Sequence, residues 1–175
     1  YSVPVRTTGH PSLNLNTQEG RVVPQVLTPH EVQTMNHENV IPSNRATLVG
    51  VIAPDAHAVG AVSTGWVKAA NFFYFLAAIY AGPWAAATID AKIEQATDNI
   101  GTGAKDVTGK EITQIDTDNQ QALINVGWED LDFNNGFDYI RVTVTVGTAT
   151  SDVFASLQGF DARYAPGEHV SSVAE

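Results

Sequence analysis

Cysteine is absent from the 175-residue chain. That absence removes disulfides, thiolate nucleophiles and zinc–thiolate sites together, and leaves the redox compartment open. Charge is also scarce: charged residues make up 16% of the chain, low for a freely diffusing cytosolic enzyme. Basic residues are scarcer still, with nine Lys and Arg against nineteen Asp and Glu and a formal net charge of −10. An acidic surface is repelled by phosphate backbones, so no nucleic-acid partner is expected. No basic amphipathic stretch is present, so no membrane partner is expected either. Long hydrophobic runs are missing as well. The longest apolar segment, residues 69–87, is broken by Asn71 and Gly82-Pro83, and the ten apolar residues between them fall short of the roughly 20 that span a bilayer. Residues 1–20 lack the apolar core of a signal peptide.

The familiar catalytic and ligand motifs fail one by one. The stretch "NIGTGAKDVTGKEI" (99–112) looks like a phosphate loop, but five residues separate Gly103 from Gly109, and Glu111 follows Lys110 where a hydroxyl should reach magnesium. The dinucleotide fingerprint fails because Asp106 stands where the third glycine belongs. The stretch reads as a hairpin or inter-strand loop in which glycines supply positive φ. "DLDFNNG" (130–136) resembles a calcium loop, yet counting from Asp130 the glycine is seventh and the twelfth residue is Arg141, a cation. It reads as a polar turn. No Gly-x-Ser-x-Gly elbow is present, and none of the five histidines has metalloprotease spacing. No catalytic, cofactor-binding or metal site is therefore assigned, and no cofactor is expected.

What is present falls into two parts. Residues 1–45 hold five of the eight prolines and no sustained period of two or 3.6. Proline removes donors and biases its predecessor toward extended backbone, so this part reads as an extended arm. Leu13, Leu15, Val22, Val23, Val26 and Leu27 make it too apolar for a solvated linker, and suit a segment laid along another surface. One helical turn is expected at "TPHEVQTMN" (28–36). The arm's charges cancel, so the whole deficit sits on residues 46–175.

Residues 46–175 carry strand periodicity. "FDYIRVTVTVG" (137–147) aims Ile140, Val142, Val144 and Val146 inward and Tyr139, Arg141, Thr143 and Thr145 outward. "QQALINVGW" (120–128) aligns Ala122, Ile124, Val126 and Trp128. "TIDAKIEQ" (88–95) fits a strand and a helix equally well. "KAANFFYFLAAIY" (68–80) is apolar on both faces, which suggests a buried strand or a subunit contact. With "ATLVGVI" (46–52), "EITQI" (111–115) and "DVFASLQGF" (152–160), about seven strands are expected at the spacing of a sandwich or barrel. Trp66, Trp84 and Trp128 can line a sugar site, but their apolar neighbours favour packing roles.

Three segments, "TIDAKIEQATDNIGTGAKDVTGKEITQI" (88–115), "DNQQALINVGWEDLDFNNGFDYIRVTVTVGTATS" (118–151) and "GFDARYAPG" (159–167), resemble a recurrent group of small tailed-phage and prophage virion proteins encoded near the head genes. The resemblance spans roughly residues 60–167 and rests on the order of the Gly-Thr-Gly-Ala-Lys-Asp run, the Asn-Gln-Gln strand start, the "GFDYIRVTVTV" strand and the "RYAP" end. It implies an all-β, antiparallel, jelly-roll-like sandwich, favours the strand reading of 88–95, and carries no catalytic residues. The expected role is a capsid decoration (cement) protein on the outer capsid surface, with the arm bridging major capsid protein subunits. Self-association as a homotrimer is expected, with Trp66, Phe73, Phe75 and Trp84 as the oligomer contact. A head–tail connector or tail component, and a carbohydrate-binding head spike, remain as alternatives.

Overall fold

The computed structural model describes residues 17–18, 21–22, 42–84, 86–164 and 169–170. The chain divides into two units, Tyr1–Asn39 and Val40–Glu175. In the first, β1 (Thr17–Gln18) pairs antiparallel with β2 (Arg21–Val22), with Thr17 opposite Val22. This pairing was not expected from the proline-rich composition, although Gly20 between the two strands is the residue that two-residue hairpin loops favour. Val22 falls in β2. Leu13, Leu15, Val23, Val26, Leu27 and the helical turn expected at 28–36 lie outside the described residues.

The second unit is an antiparallel sandwich. A single helical turn, Pro42–Arg45, leads into β3 (Ala46–His57), followed by β4 (Gly60–Ser63), β5 (Val67–Lys68), β6 (Tyr74–Ala81), β7 (Thr88–Ala96), β8 (Lys105–Glu111), β9 (Gln121–Gly127), β10 (Tyr139–Gly147) and β11 (Ser151–Phe160). One sheet has the order β3-β11-β6-β9. The other has the order β4-β10-β7-β8, with β5 also pairing with β10. Both β4 and β5 lie along β10, opposite residues 143–146 and 139–140 respectively, so together they act as one interrupted strand. Counted that way, the first, eighth, third and sixth strands form one sheet, and the second, seventh, fourth and fifth form the other. This is the strand order of an eight-stranded jelly roll, as expected.

Period-two burial explains the strands. Ile140, Val142, Val144 and Val146 on β10 face Ile79, Val153, Ala155 and Leu157 of the other sheet across a common core. Burying each large aliphatic contributes about 1.5–3 kcal/mol. Segment 88–95 takes the strand alternative: Ile89, Ala91 and Ile93 are buried, while Thr88, Asp90, Lys92 and Glu94 are half-exposed. β3 is an edge strand, which explains how it accommodates Pro54 at an irregularity in its pairing with β11. Two further edges of the prediction shift. The strand expected at 111–115 ends at Glu111, and Ile115 makes only an isolated bridge to Ile89. Trp128 leaves the β9 alternation, because the strand stops at Gly127 and a 3₁₀ turn, Trp128–Asp130, follows.

The glycine run 97–104 is the β7–β8 turn. Gly101 and Gly103 have φ of +90° and +65°, conformations that side chains disfavour. Asp98 Oδ1 accepts the N–H groups of Ile100 and Thr102 at 3.0 and 2.9 Å. Bonds from Thr102, first its side chain and then its backbone, hold the Asp98 carboxyl below its ordinary pKa. Amides that a phosphate would need are therefore already occupied by the chain's own carboxylate.

A candidate docking face

The two outer faces of the sandwich differ in kind. On the β4-β10-β7-β8 sheet, the outward positions are polar and paired among themselves. Glu94 Oε2 accepts from Arg141 Nε at 2.8 Å and from Thr143 Oγ1 at 2.6 Å, and Thr143 Oγ1 lies 2.9 Å from Ser63 Oγ. Lys92 Nζ lies 3.4 Å from Glu94 and 2.6 Å from Asp106 on β8. Burial alone would raise the Glu94 pKa, but the bonds from Thr143 and Arg141 and the Arg141 and Lys92 charges outweigh it, leaving the carboxyl below its ordinary range. Lys92 is raised, chiefly by its hydrogen bond to Asp106. The Arg141 guanidinium also lies 4.4 Å over the Trp66 ring. This face satisfies itself.

The outer face of the β3-β11-β6-β9 sheet carries little charge and several exposed aromatic and aliphatic side chains. Because Phe75, Ala77, Ile79 and Ala81 point into the core, Tyr74, Leu76, Ala78 and Tyr80 point out. Their cross-strand neighbours on β11 are Phe160, Gln158, Ser156 and Phe154, and on β9 Gly127, Asn125, Leu123 and Gln121. Tyr74, Tyr80 and Leu123 are 51%, 44% and 60% exposed. Tyr80 stacks on Phe154 with ring centroids 5.5 Å apart. β6 and β9 contain no charged residue, and β11 contains only Asp152 at its start. Four strands about 4.8 Å apart and seven residues at about 3.3 Å give a footprint of roughly 400 Å². Tyr74, Leu76, Tyr80, Leu123, Phe154 and Phe160 stand on this face among the uncharged polar Gln121, Asn125, Ser156 and Gln158, and clustered exposed apolar side chains mark interaction sites on soluble domains. A groove of about 410 Å³ lies at the Tyr80–Phe154 end, and one of about 490 Å³ lies at the Tyr74–Phe160 end.

The expected oligomer contact does not assemble as a unit. Phe75 is 2% exposed and belongs to the core, which corrects its assignment as a contact. An all-apolar strand gives no sign of which alternate residues face inward, and here the other set, Tyr74, Leu76 and Tyr80, is the outward one. Phe73 is exposed just before β6, beneath the Arg163 guanidinium at 4.1 Å. Trp66 is half-buried on the opposite sheet against Arg141, and Trp84 is half-buried against the core. Trp128 is 50% exposed, whereas Trp66 packs under Arg141 and Trp84 against the core, so the three present no common exposed platform. The "DLDFNNG" segment is a pair of 3₁₀ turns closed by Gly136 at φ +83°, where Asp132 binds Lys105 at 2.6 Å and Asn135 at 2.6 Å. Among the described residues, no group of three or more His, Cys, Asp or Glu is arranged to hold a metal ion.

No family model matches the chain, and no curated protein matches it. The likeness to phage virion proteins accordingly stands on the residue patterns alone.

Proposed function

We propose that the protein is a structural component of a tailed-phage virion, of the decoration type, that docks on the outside of the head through the outer face of the β3-β11-β6-β9 sheet. The observation that carries this reading is the contrast between the two sheets. One outer face is closed by its own ion pairs, and the other is a nearly uncharged surface with exposed aromatic and aliphatic side chains, on a body of net negative charge. Jelly rolls serve viral capsid domains and also lectins, so the fold is compatible with this role without deciding it. The acidic body favours an exterior position over one facing packaged DNA.

Magnitude also favours a contribution from residues 1–45. A sheet face of roughly 400 Å² is about half of the ~800 Å² per partner that a stable interface buries. An arm reaching up to about 3.3 Å per residue supplies the remaining area and bridges neighbouring capsid subunits, which adds avidity. Antibody against the recombinant chain should label the exterior of intact heads in virions that carry it. Labelling confined to the neck or tail would favour a connector or tail role and overturn the decoration reading.

A further inference from the structure

We infer that the free edge of β9 pairs antiparallel with β9 of a second copy of this chain, joining two β3-β11-β6-β9 sheets into one. A sheet edge presents unpaired N–H and C=O groups and is a template for another strand unless it is shortened, charged, bulged or covered. The other edges are managed in those ways. On β3, the Leu48 N–H and C=O are taken by His169 Nδ1 at 3.1 Å and the Val170 N–H at 2.9 Å, and Pro54 has no N–H to offer. β8 carries Lys105, Asp106, Lys110 and Glu111, and its pairing with β7 shifts register. The edge beside β10 is split between β4 and β5, of four and two residues. β9 has none of these devices. Its seven residues hold no charge and no proline, and their register with β6 is unbroken.

The bonds to β6 fix which groups are on offer. Trp128 N–H donates to the Phe73 carbonyl at 3.1 Å, and the Gln120 carbonyl accepts from Ala81 N–H at 2.8 Å. Antiparallel bonding alternates along a strand, so Ala122, Ile124 and Val126 turn their backbone groups to β6. Gln121, Leu123 and Asn125 turn theirs to the open side, where no backbone bond reaches them among the described residues. The Gly127 N–H is taken by Asp130 Oδ2 at 2.7 Å, which ends the free stretch.

A second copy fits this stretch in register. A twofold axis beside Leu123 sets Leu123 opposite the partner's Leu123 and Gln121 opposite the partner's Asn125, so every offered group is bonded, in about six hydrogen bonds. Leucine meets leucine, carboxamide meets carboxamide, and Ala122 and Ile124 stay on the core side. A slip of one residue would set outward side chains against inward ones. The lack of charge on β9 matters because each copy carries a net charge of −10, which opposes close approach through its acidic surfaces. A foreign strand can take the same bonds, but the self-matched register and the uncharged strand favour the chain's own copy. Seven residues at about 3.3 Å, along sheets about 10 Å apart with their outer side chains, offer roughly 400 Å² per partner, half of the ~800 Å² of a standard interface. The dimer is therefore weak in solution, with a Kd on the order of 100 µM, and tightens as salt screens the two bodies. Because the axis is normal to the sheet, both outer faces lie on one side and together present ~800 Å². That benefit rests on the reading of this face as a docking surface, whereas the pairing itself does not. The pair is twofold, in place of the trimer that the resemblance implies.

The test is sedimentation velocity on the full chain from about 10 to 500 µM, beside amide-resolved NMR over the same range. Wild type should pass from monomer to dimer, with concentration-dependent shifts centred on the amides of Gln121, Leu123 and Asn125. Gln121→Lys/Asn125→Lys and Gln121→Asp/Asn125→Asp each set like charges opposite one another twice, and each should weaken self-association about ten-fold. Mixed one to one, the two variants set opposite charges together at both positions and should form a heterodimer. A wild type that stays monomeric at about 500 µM leaves the edge to a foreign strand and overturns the pairing. Shifts centred away from β9, self-association unchanged in both variants, or a mixture as monomeric as its parts would each overturn it too. Its failure is separable from failure of the docking face. A chain that is monomeric throughout, yet binds heads and loses that binding in Leu123→Lys, keeps the face and loses the dimer.

Discussion

Replacing Glu94 with Gln tests the claim that the β4-β10-β7-β8 face is closed by its own polar network. The side chain is only 13% exposed and accepts from both Arg141 and Thr143. Glutamine keeps the shape and one acceptor oxygen, which can take the place of Oε2 and still accept from both, but it turns its NH2 toward Lys92 and removes the charge facing Arg141 and Lys92. A hydrogen bond to a charged group contributes about 1.5–3 kcal/mol, and the half-exposed lysine adds little, so the loss should be about 2 kcal/mol. For a domain of this size that lowers Tm by about 4–8 °C. The effect must also depend on pH. The Glu94 carboxyl titrates below its ordinary value when folded, so its stabilisation is fully present above the unfolded value and is lost as pH falls through the folded one. Thermal melts followed by circular dichroism should therefore show a gap between wild type and Glu94→Gln at neutral pH that closes in acid. The gap should close because the wild type loses this contribution while the variant has none to lose. Asp98, Asp130 and Asp132 are also lowered, so both proteins lose stability in acid. A variant that melts with the wild type at neutral pH, or a gap that persists in acid, would refute the reasoning.

Other expectations follow from single contacts. Gly101→Ala places a Cβ 2.7 Å from Trp66 Nε1 at a φ of +90°, so the indole must leave its place under Arg141; a loss of about 1–3 kcal/mol and an altered near-ultraviolet dichroism are expected. His169 accepts the Leu48 N–H on Nδ1 at 3.1 Å and donates from Nε2 to the Ser43 carbonyl at 3.0 Å, while Val170 N–H reaches the Leu48 carbonyl at 2.9 Å. His169→Ala should free the edge of β3, seen as faster hydrogen exchange at Leu48 with little change in Tm; unchanged exchange would mean that the clasp does not protect the strand. Removing residues 1–41, which spares Ser43 and the Pro42–Arg45 turn, should leave the melting of the body intact and abolish binding to heads. Full occupancy by the truncated chain would end the role proposed for the arm.

Part of the sandwich was legible because β10, central in its sheet, alternates apolar and polar residues along its length. In β10 every second residue from Ile140 to Val146 is a buried aliphatic, and no helix produces that pattern. β8 was not legible. Of its seven residues only Val107 is buried, and Gly109 sits within it at φ +72°, so its sequence reads as a loop and only pairing with β7 makes it a strand. The interrupted β4–β5 edge is too short to carry a period. The docking face was half legible. Its apolar strand stood out, but the inward set could not be told from the outward set in a segment apolar on both sides. Tyr74 and Tyr80 announce themselves only once Ile79 is seen in the core.

The most direct test of the docking face is the binding of Leu123→Lys to heads stripped of the native chain, measured by co-sedimentation beside its melting temperature. Leu123 is exposed on β9 and supports nothing in the core, so folding should be unchanged. A buried unpaired ammonium on this face should reduce occupancy at least ten-fold. Decoration at wild-type occupancy by a normally folded Leu123→Lys chain would contradict the assignment of this sheet as the surface that meets the capsid.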